Sequence, residues 1–220
     1  MQVALKNGVR VRPTRTGERA LCQTCEGEVL SKCGEINVWH WAHRSIAACD
    51  SWIEADTEWH SEWKARVPES WIEIVIEKDG KRRLADIRLP NGLIVKLQRS
   101  SLSPEQIRDY ERFFGNMIWI FDVQDSLEPS DGGPRLEFRK KEMSSTALQL
   151  RGWKETPSNY RTFRWKHAKK HIAYASRPVY LDVGKNYVFN LQKLYPDRPA
   201  AGFGFFFRIK DMIGWFHQQV

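Results

Sequence analysis

The sequence has no hydrophobic run long enough to cross a membrane and no apolar segment of the signal-peptide type after Met1. One of its longest apolar stretches, residues 203–209, is far shorter than the roughly 18–20 residues that a spanning helix needs. Four cysteines in 220 residues do not indicate a disulfide scaffold. No internal repeat is visible. We therefore expect a cytoplasmic protein with no membrane partner, and the oligomeric state stays open.

The composition indicates a folded protein with an anionic partner. Hydrophobic residues make up 41% of the chain, which includes 10 tryptophans, so there is enough apolar surface to offset the entropy of ordering. The length fits one domain with a small appended module. The net charge is +8, and nucleic acid is the commonest partner of so basic a protein.

Two pairs of metal-type ligands lie near the N-terminus. Cys22 and Cys25 form a Cys-x-x-Cys pair, and His40 and His43 form a His-x-x-His pair further on. Zinc is bound tetrahedrally by thiolate and imidazole, and each short gap lets two ligands converge. The spacing predicts a structural Zn²⁺ site, in which Cys33 or Cys49 could replace a histidine. The alternative is that these are packed thiols and aromatic core neighbours.

Pattern and composition divide the chain into four parts: a hairpin and zinc-finger-like module at 1–50, an α/β core at 51–124, an acidic linker at 125–150, and a basic aromatic region at 151–220. The element order predicts a mixed β-sheet flanked by helices, an α/β fold. We expect helices at 51–70, 104–114 and 210–219, and strands at 71–77, 82–89, 93–98, 117–123, 178–183 and 202–209.

The hairpin at 82–98 has a register that the sequence can fix. If Ile87 faces Val95, one side of the hairpin is wholly apolar, whereas a slip of one residue loses that core face. In this register Asp86 lies opposite Lys96, on the same side as Gln98. One interpretation is an exposed ion pair worth about 0–1 kcal/mol. The other is a phosphodiesterase site that binds a divalent metal.

Several motifs together resemble one family, the competence protein CoiA family of nucleases. These motifs extend over nearly the whole chain, and their order and spacing together are more specific than any single motif. The motifs are Cys22-Gln23-Thr24-Cys25, His40-Trp41-Ala42-His43, Glu58-Trp59-His60 with Trp63-Lys64, Ala85-Asp86-Ile87, Gln98-Arg99-Ser100-Ser101, residues 117–121, residues 163–167 and residues 178–182.

The resemblance implies a PD-(D/E)xK nuclease fold, that is, a restriction-endonuclease-like core, and a role in DNA uptake and recombination. It makes Glu58 and Asp86 the ligands of a catalytic Mg²⁺ or Mn²⁺, and it places Gln98 where the superfamily usually has lysine. Lys96 departs from the pattern, because it falls on a metal-binding carboxylate. An ammonium about 4 Å from a divalent ion repels it by roughly 8 kcal/mol at an effective dielectric near 20. The site is then either closed, or usable if Lys96 bends away.

A second set of residues is predicted to contact nucleic acid. At about 100° per residue, Glu58 and His60 point to different sides of one helix, so Glu58 suits the metal and His60 with Lys64 suits phosphate. The other predicted nucleic-acid contacts are the basic residues Arg99, Arg161, Arg164, Lys166, His167, Lys169 and Lys170. The alternative is that these residues only form a solvated face of the protein.

Three functions are consistent with these features. The first is a metal-dependent DNA nuclease (a hydrolase), which Lys96 could inactivate. The second is a zinc-stabilised nucleic-acid-binding protein that does not cut, and the third is a small protein-interaction module.

Overall fold

The computed structural model describes residues 1–35, 38–43, 49, 56–129, 133–195 and 200–219. The fold is mixed α/β, with few helices. The chain forms two compact units, Met1–Lys96 with Gln219–Val220, and Leu97–Gln218. No helix in the described ranges is long and apolar enough to cross a membrane.

The first unit contains a small antiparallel sheet, whose first two strands form a hairpin. Its strand order is β2-β1-β3-β4-β5. Asn7 and Gly8 join the first two strands with positive φ angles of 53° and 77°, as a tight hairpin turn requires. Ala4, Ala20, Val29 and Trp41 form its core. The strands are β1 (Ala4–Lys6), β2 (Val9–Val11), β3 (Arg19–Leu21), β4 (Glu28–Lys32) and β5 (His40–His43).

The rest of the first unit is a helix followed by a meander. Helix α1 (Glu58–Lys64) begins after Thr57 and is shorter than the helix predicted at 51–70. The chain leaves it at Ala65 and forms a 3-10 turn at Glu69–Trp71, while residues 51–55 lie outside the described ranges. The three predicted strands are present and antiparallel: β6 (Ile72–Lys78), β7 (Lys81–Arg88) and β8 (Ile94–Gln98), whose last two residues belong to the second unit.

The second unit has strand order β10-β11-β14-β13-β12-β9, and only its β9–β12 pair is parallel among the described pairs. The predicted elements appear as α2 (Pro104–Phe114), β9 (Met117–Asp122), β12 (Val179–Asp182), β14 (Ala200–Arg208) and α4 (Ile209–His217). The sequence analysis missed β10 (Leu136–Arg139), α3 (Ser145–Gln149), β11 (Tyr160–Trp165) and β13 (Tyr187–Tyr195). Strand β10 and helix α3 lie in the predicted linker.

Two glycines make the two faces of β14 unlike each other. A Cβ atom on Gly202 or Gly204 would lie 2.1 Å from a backbone carbonyl oxygen of Lys193 or Asn190, so neither position accepts a side chain. The rings of Phe163 and Phe189 lie beside these glycines, 5.7 Å apart, on the buried face. The alternate residues Phe203 and Phe205 therefore lie on the opposite face.

Candidate functional site

Four ligand atoms converge at the N-terminal module. Cys22, Cys25, His43 and Cys49 each offer one ligand atom, and these atoms all lie within 4.8 Å of one another. The sulfur atoms of Cys22 and Cys49 are 3.9 Å apart, and Cys25 Sγ is 3.3 Å from His43 Nε2. In a tetrahedral site with Zn–S bonds of about 2.3 Å, two ligand atoms are about 3.8 Å apart. The separations in this cluster are close to that value. The cluster can therefore hold a metal ion such as zinc.

The turn after β3 positions the two cysteines of the pair. Cys22 N donates to Gly27 O, and Glu26, at φ 60°, donates from its backbone N to Cys22 O. Thr24 N points at Cys22 Sγ over 3.3 Å. Such an N–H donor stabilises a thiolate. The turn is thus folded to present sulfur atoms to one point.

The predicted ligand set needs one correction, because His40 is not in this cluster and Cys49 is. His40 and His43 are three residues apart on strand β5, and residues at that spacing point to opposite faces of a strand. The ring of His40 instead has its Nδ1 2.7 Å from Val38 O. Cys33 also lies outside the cluster.

Burial shifts the pKa values of two residues of the cluster. Burial, together with the neighbouring Cys22 thiol, raises the pKa of Cys49. Burial lowers the pKa of His43, which favours the neutral imidazole that metals bind. A metal ion in the centre would favour the thiolate forms that burial disfavours.

The second candidate site lies on the β6–β7–β8 meander. Ile87 pairs with Val95, as the hairpin register predicted, and Leu89 N donates to Leu93 O. Lys96 Nζ donates to Asp86 Oδ2 over 2.6 Å, and the two side chains are only 5% and 13% exposed. The pair is therefore largely buried, which differs from the exposed ion pair that was one interpretation of the sequence.

A second carboxylate, which the sequence analysis missed, lies beside Asp86. Ile72 pairs with Ile87 and Ile74 with Ala85, so Glu73 is level with Asp86 on the neighbouring strand. Glu73 is fully buried and has a positive φ of 50°. Its carboxylate accepts the backbone N–H groups of Gln2 and Val3 at 2.8–2.9 Å.

Lys64 of helix α1 joins this group, which corrects its assignment as a phosphate contact. Its Nζ lies 2.6 Å from both Asp56 Oδ1 and Glu73 Oε1, and its side chain is 2% exposed. Burial opposes its charge, but Glu73, Asp56 and Asp86 outweigh burial and raise the pKa of Lys64. Lys64 is thus a buried counter-ion that phosphate cannot reach.

These side chains form two groups of ion pairs, together called the ionic network. In one group Lys64 contacts Asp56 and Glu73, and the α-ammonium of Met1 is 3.1 Å from Asp56 Oδ2. In the other Lys96 contacts Asp86, whose charge also acts on Lys64. Burial acts to raise the pKa of Asp56, yet the Lys64 charge prevails and the pKa is lowered. Each of the three carboxylates thus has at least one cationic partner, which opposes the binding of a divalent cation.

The two helix residues predicted with Lys64 occupy different environments. Glu58 is the first residue of α1 and is exposed, whereas the ionic network is buried. His60 is 2% exposed; its Nδ1 lies 3.3 Å from the Thr57 backbone N, which donates to it, and its ring packs edge-on against Trp59 at 4.9 Å. Its assignment as a nucleic-acid contact is therefore corrected: His60 caps the helix.

Gln98 and some of the predicted basic contacts have partners within the second unit. Gln98 is buried and donates its amide to Ser100 O and Oγ at 3.0 Å. Arg99 lies 3.4 Å from Asp122 Oδ2, and Lys169 donates to Asp122 O and lies 3.6 Å from Asp125 Oδ1. Because of these interactions, Arg99 and Lys169 have fewer N–H groups available for hydrogen bonds to a phosphate.

The remaining predicted basic residues divide by exposure. Arg164, Lys166 and His167 are exposed at and just after the end of β11. Arg161 donates to the carbonyl oxygens of Ser158 and Tyr160. Lys170 begins a 3-10 turn, and its side chain lies outside the described part of the structure.

The comparison with protein families bears on the N-terminal module. Residues 10–51 match the family model of the competence protein CoiA N-terminal domain. All four converging ligands lie inside this match, so the N-terminal module is similar to that domain. No curated protein and no solved structure matches the chain.

Proposed function

We propose that this protein is a CoiA-like DNA-processing protein whose meander has the layout of a metal-dependent nuclease centre but is closed by Lys96. With Lys96 in place, the chain binds nucleic acid and does not hydrolyse it. The contact that carries this proposal is the 2.6 Å ion pair between Lys96 Nζ and Asp86 Oδ2. It occupies the carboxylate that the CoiA resemblance assigns to the metal.

A catalytic Mg²⁺ or Mn²⁺ does not fit the residues as they stand. Asp86 is bound to one ammonium group and lies in the field of a second, that of Lys64. A divalent ion about 4 Å from either would be repelled by roughly 8 kcal/mol at an effective dielectric near 20. Hard cations prefer several oxygen ligands, and the oxygens here already accept hydrogen bonds. These residues therefore do not support a metal-assisted step.

A carboxylate in place of Lys96 would reverse this balance. It would remove one positive charge and add one negative charge beside Asp86 and Glu73, which are level on neighbouring strands. Such a group of oxygens with excess negative charge is what Mg²⁺ selects. The layout is that of a nuclease centre in which one substitution decides whether the metal can bind.

Nucleic-acid binding is supported by charge. The chain has a net charge of +8, and Arg164, Lys166 and His167 are exposed near one another in sequence. The N-terminal Cys/His cluster would hold zinc as a structural ion, because its four protein ligands leave no position open for substrate.

A cleavage panel tests the proposal. The unaltered protein and Lys96→Glu are incubated with linear duplex DNA, single-stranded DNA and RNA, with Mg²⁺ or Mn²⁺ and with chelator. We expect divalent-dependent cleavage by Lys96→Glu only, and its loss in Lys96→Glu/Asp86→Asn. Cleavage by the unaltered protein that Asp86→Asn removes, or a folded Lys96→Glu protein that cuts none of these substrates, would overturn it.

A further inference from the structure

The second unit has a partly exposed sheet face that neither metal site uses. On strand β14 the residues Phe203 and Phe205 point away from the buried face, because Gly202 and Gly204 alternate with them. Tyr160 pairs with Phe205 on the neighbouring strand β11, and its ring lies 5.6 Å from that of Phe205 and 6.0 Å from that of Phe203. The outer face of this sheet is thus aromatic.

Two exposed rings extend this aromatic face to solvent. Trp153 meets Phe205 edge-on with ring centroids 5.9 Å apart, and it is 38% exposed. Tyr195, at the end of β13, is 49% exposed, and it lies opposite Ala201 of β14, on the same face as Phe203 and Phe205. A group of large apolar side chains exposed on one surface is typical of a binding site.

Cations accompany both exposed rings. Arg151 Cζ lies 5.7 Å from the ring centroid of Trp153, and Lys193 Nζ lies 5.8 Å from that of Tyr195. Arg164 and Arg139 occupy outward positions on β11 and β10. Among the described residues of these strands, the acid sharing that face is Glu137, which is paired with Arg139 at 3.0 Å. The face is therefore both aromatic and positively charged.

We propose that the outer face of β11, β14 and β13, with Trp153 and Tyr195 at its edges, is a stacking platform for unpaired bases of single-stranded nucleic acid. Aromatic side chains stack on bases whose faces are free, and flanking cations neutralise the phosphates. A duplex hides its base faces, so it can use the cations but not the rings. The charge complementarity favours a nucleic acid over a protein partner.

This inference shares its ligand class with the proposed function and rests on it to that extent, but it concerns different residues. The nuclease-type centre lies in the first unit and the platform in the second. The platform would present an unpaired strand by stacking, whether or not that strand can be cut. Because the bases of DNA and RNA stack on aromatic rings in the same way, the experiment below uses both nucleic acids.

Fluorescence anisotropy with labelled oligothymidylate and oligouridylate of about 12 nucleotides, and with a duplex of the same length, tests the platform. We expect both single strands to bind more tightly than the duplex. Trp153→Ala and Tyr195→Ala should each weaken single-strand binding roughly five- to 150-fold, as loss of one stacked base implies. Tyr195→Phe keeps the ring and should bind nearly normally.

Matched controls separate stacking from folding. Trp215, 37% exposed on helix α4, and Tyr174, 50% exposed, offer the same residue types away from these strands. Trp215→Ala and Tyr174→Ala should leave affinity within about twofold, and thermal melting should show all variants folded. Equal binding of duplex and single strand, no binding, or equal losses in Trp153→Ala and Trp215→Ala would overturn the platform.

The two proposals fail in different ways. A platform failure leaves single-strand affinity unchanged in Trp153→Ala and Tyr195→Ala. A failure of the nuclease-type centre leaves Lys96→Glu without cleavage while oligonucleotide affinity and its dependence on Trp153 persist.

Discussion

Lys96 and Asp86 face each other across the β7–β8 hairpin, with Lys96 Nζ 2.6 Å from Asp86 Oδ2 and both side chains largely buried. A buried pair differs from a surface pair, because removing one partner leaves a charge that water cannot reach. In the proposed function, this contact also determines whether the adjacent carboxylates can bind a metal.

The zinc ligands can be identified one by one. Cys49→Ser or His43→Ala should lower the zinc content of purified protein well below one ion per chain, since a tetrahedral site with three ligands binds more weakly. His40→Ala and Cys33→Ser are the controls and should keep about one zinc. Metal content is measured by mass spectrometry. Loss of zinc in His40→Ala with retention in Cys49→Ser would contradict the assignment.

The buried network should respond strongly to loss of Lys64. Lys64→Met leaves the carboxylates of Asp56 and Glu73 without their shared cation, and we expect a loss of about 3–5 kcal/mol in the free energy of unfolding. Lys81→Met, at an exposed lysine, should change it by less than about 0.5 kcal/mol. Urea denaturation measures both.

A double variant checks that charge, and not packing, causes the loss. In Lys64→Met/Glu73→Gln one of the two uncompensated carboxylates is neutral, so part of the stability should return. If the double variant is as unstable as the sum of the two single variants, the residues do not form one network.

Glu111 of helix α2 should make stability depend on acid pH. Burial acts to raise its pKa, but hydrogen bonds from Ser176, Trp119 and Arg177 outweigh burial and lower the pKa below 4.5. A lowered folded-state pKa gives stability that is present above pH 4.5 and is lost as the pH falls through the folded value.

The variant Glu111→Gln tests this pH dependence. We expect it to cost about 2–4 kcal/mol at neutral pH, because several charge-assisted hydrogen bonds weaken, and to cost less near pH 2. Unfolding free energies from pH 2 to 7 give the comparison, and Glu142→Gln, at an exposed acid, is the control. A difference between Glu111→Gln and the unaltered protein that stays constant with pH would contradict the lowered pKa.

The sequence predicted the parts of the site that follow from strand periodicity. The Asp86–Lys96 pairing could be predicted because any other register loses the apolar face of Ile87 and Val95. Cys22 and Cys25 could be recognised by their spacing. His40 was wrong as a ligand because β5 is an extended strand, which turns His40 and His43 to opposite faces.

Other parts depend on tertiary structure and were not predictable. Glu73 looks like an outward position of an alternating strand, and only its left-handed backbone and the N–H groups of Gln2 and Val3 bring its carboxylate inside. Lys64 is buried because Glu73 and Asp56 lie where they do. Strand β11 was missed because its aromatic and basic residues suggested a binding segment and not a sheet.

Binding of Mn²⁺ to the zinc-loaded protein tests the central claim most directly, because it does not depend on the choice of nucleic acid. Calorimetric titration is carried out on the unaltered protein, Lys96→Glu and Lys96→Glu/Asp86→Asn. We predict that Lys96→Glu binds about one Mn²⁺ per chain and that the other two bind none at this site. Mn²⁺ binding by the unaltered protein that Asp86→Asn abolishes, or no binding by a folded Lys96→Glu protein, would contradict the claim that Lys96 closes a metal centre.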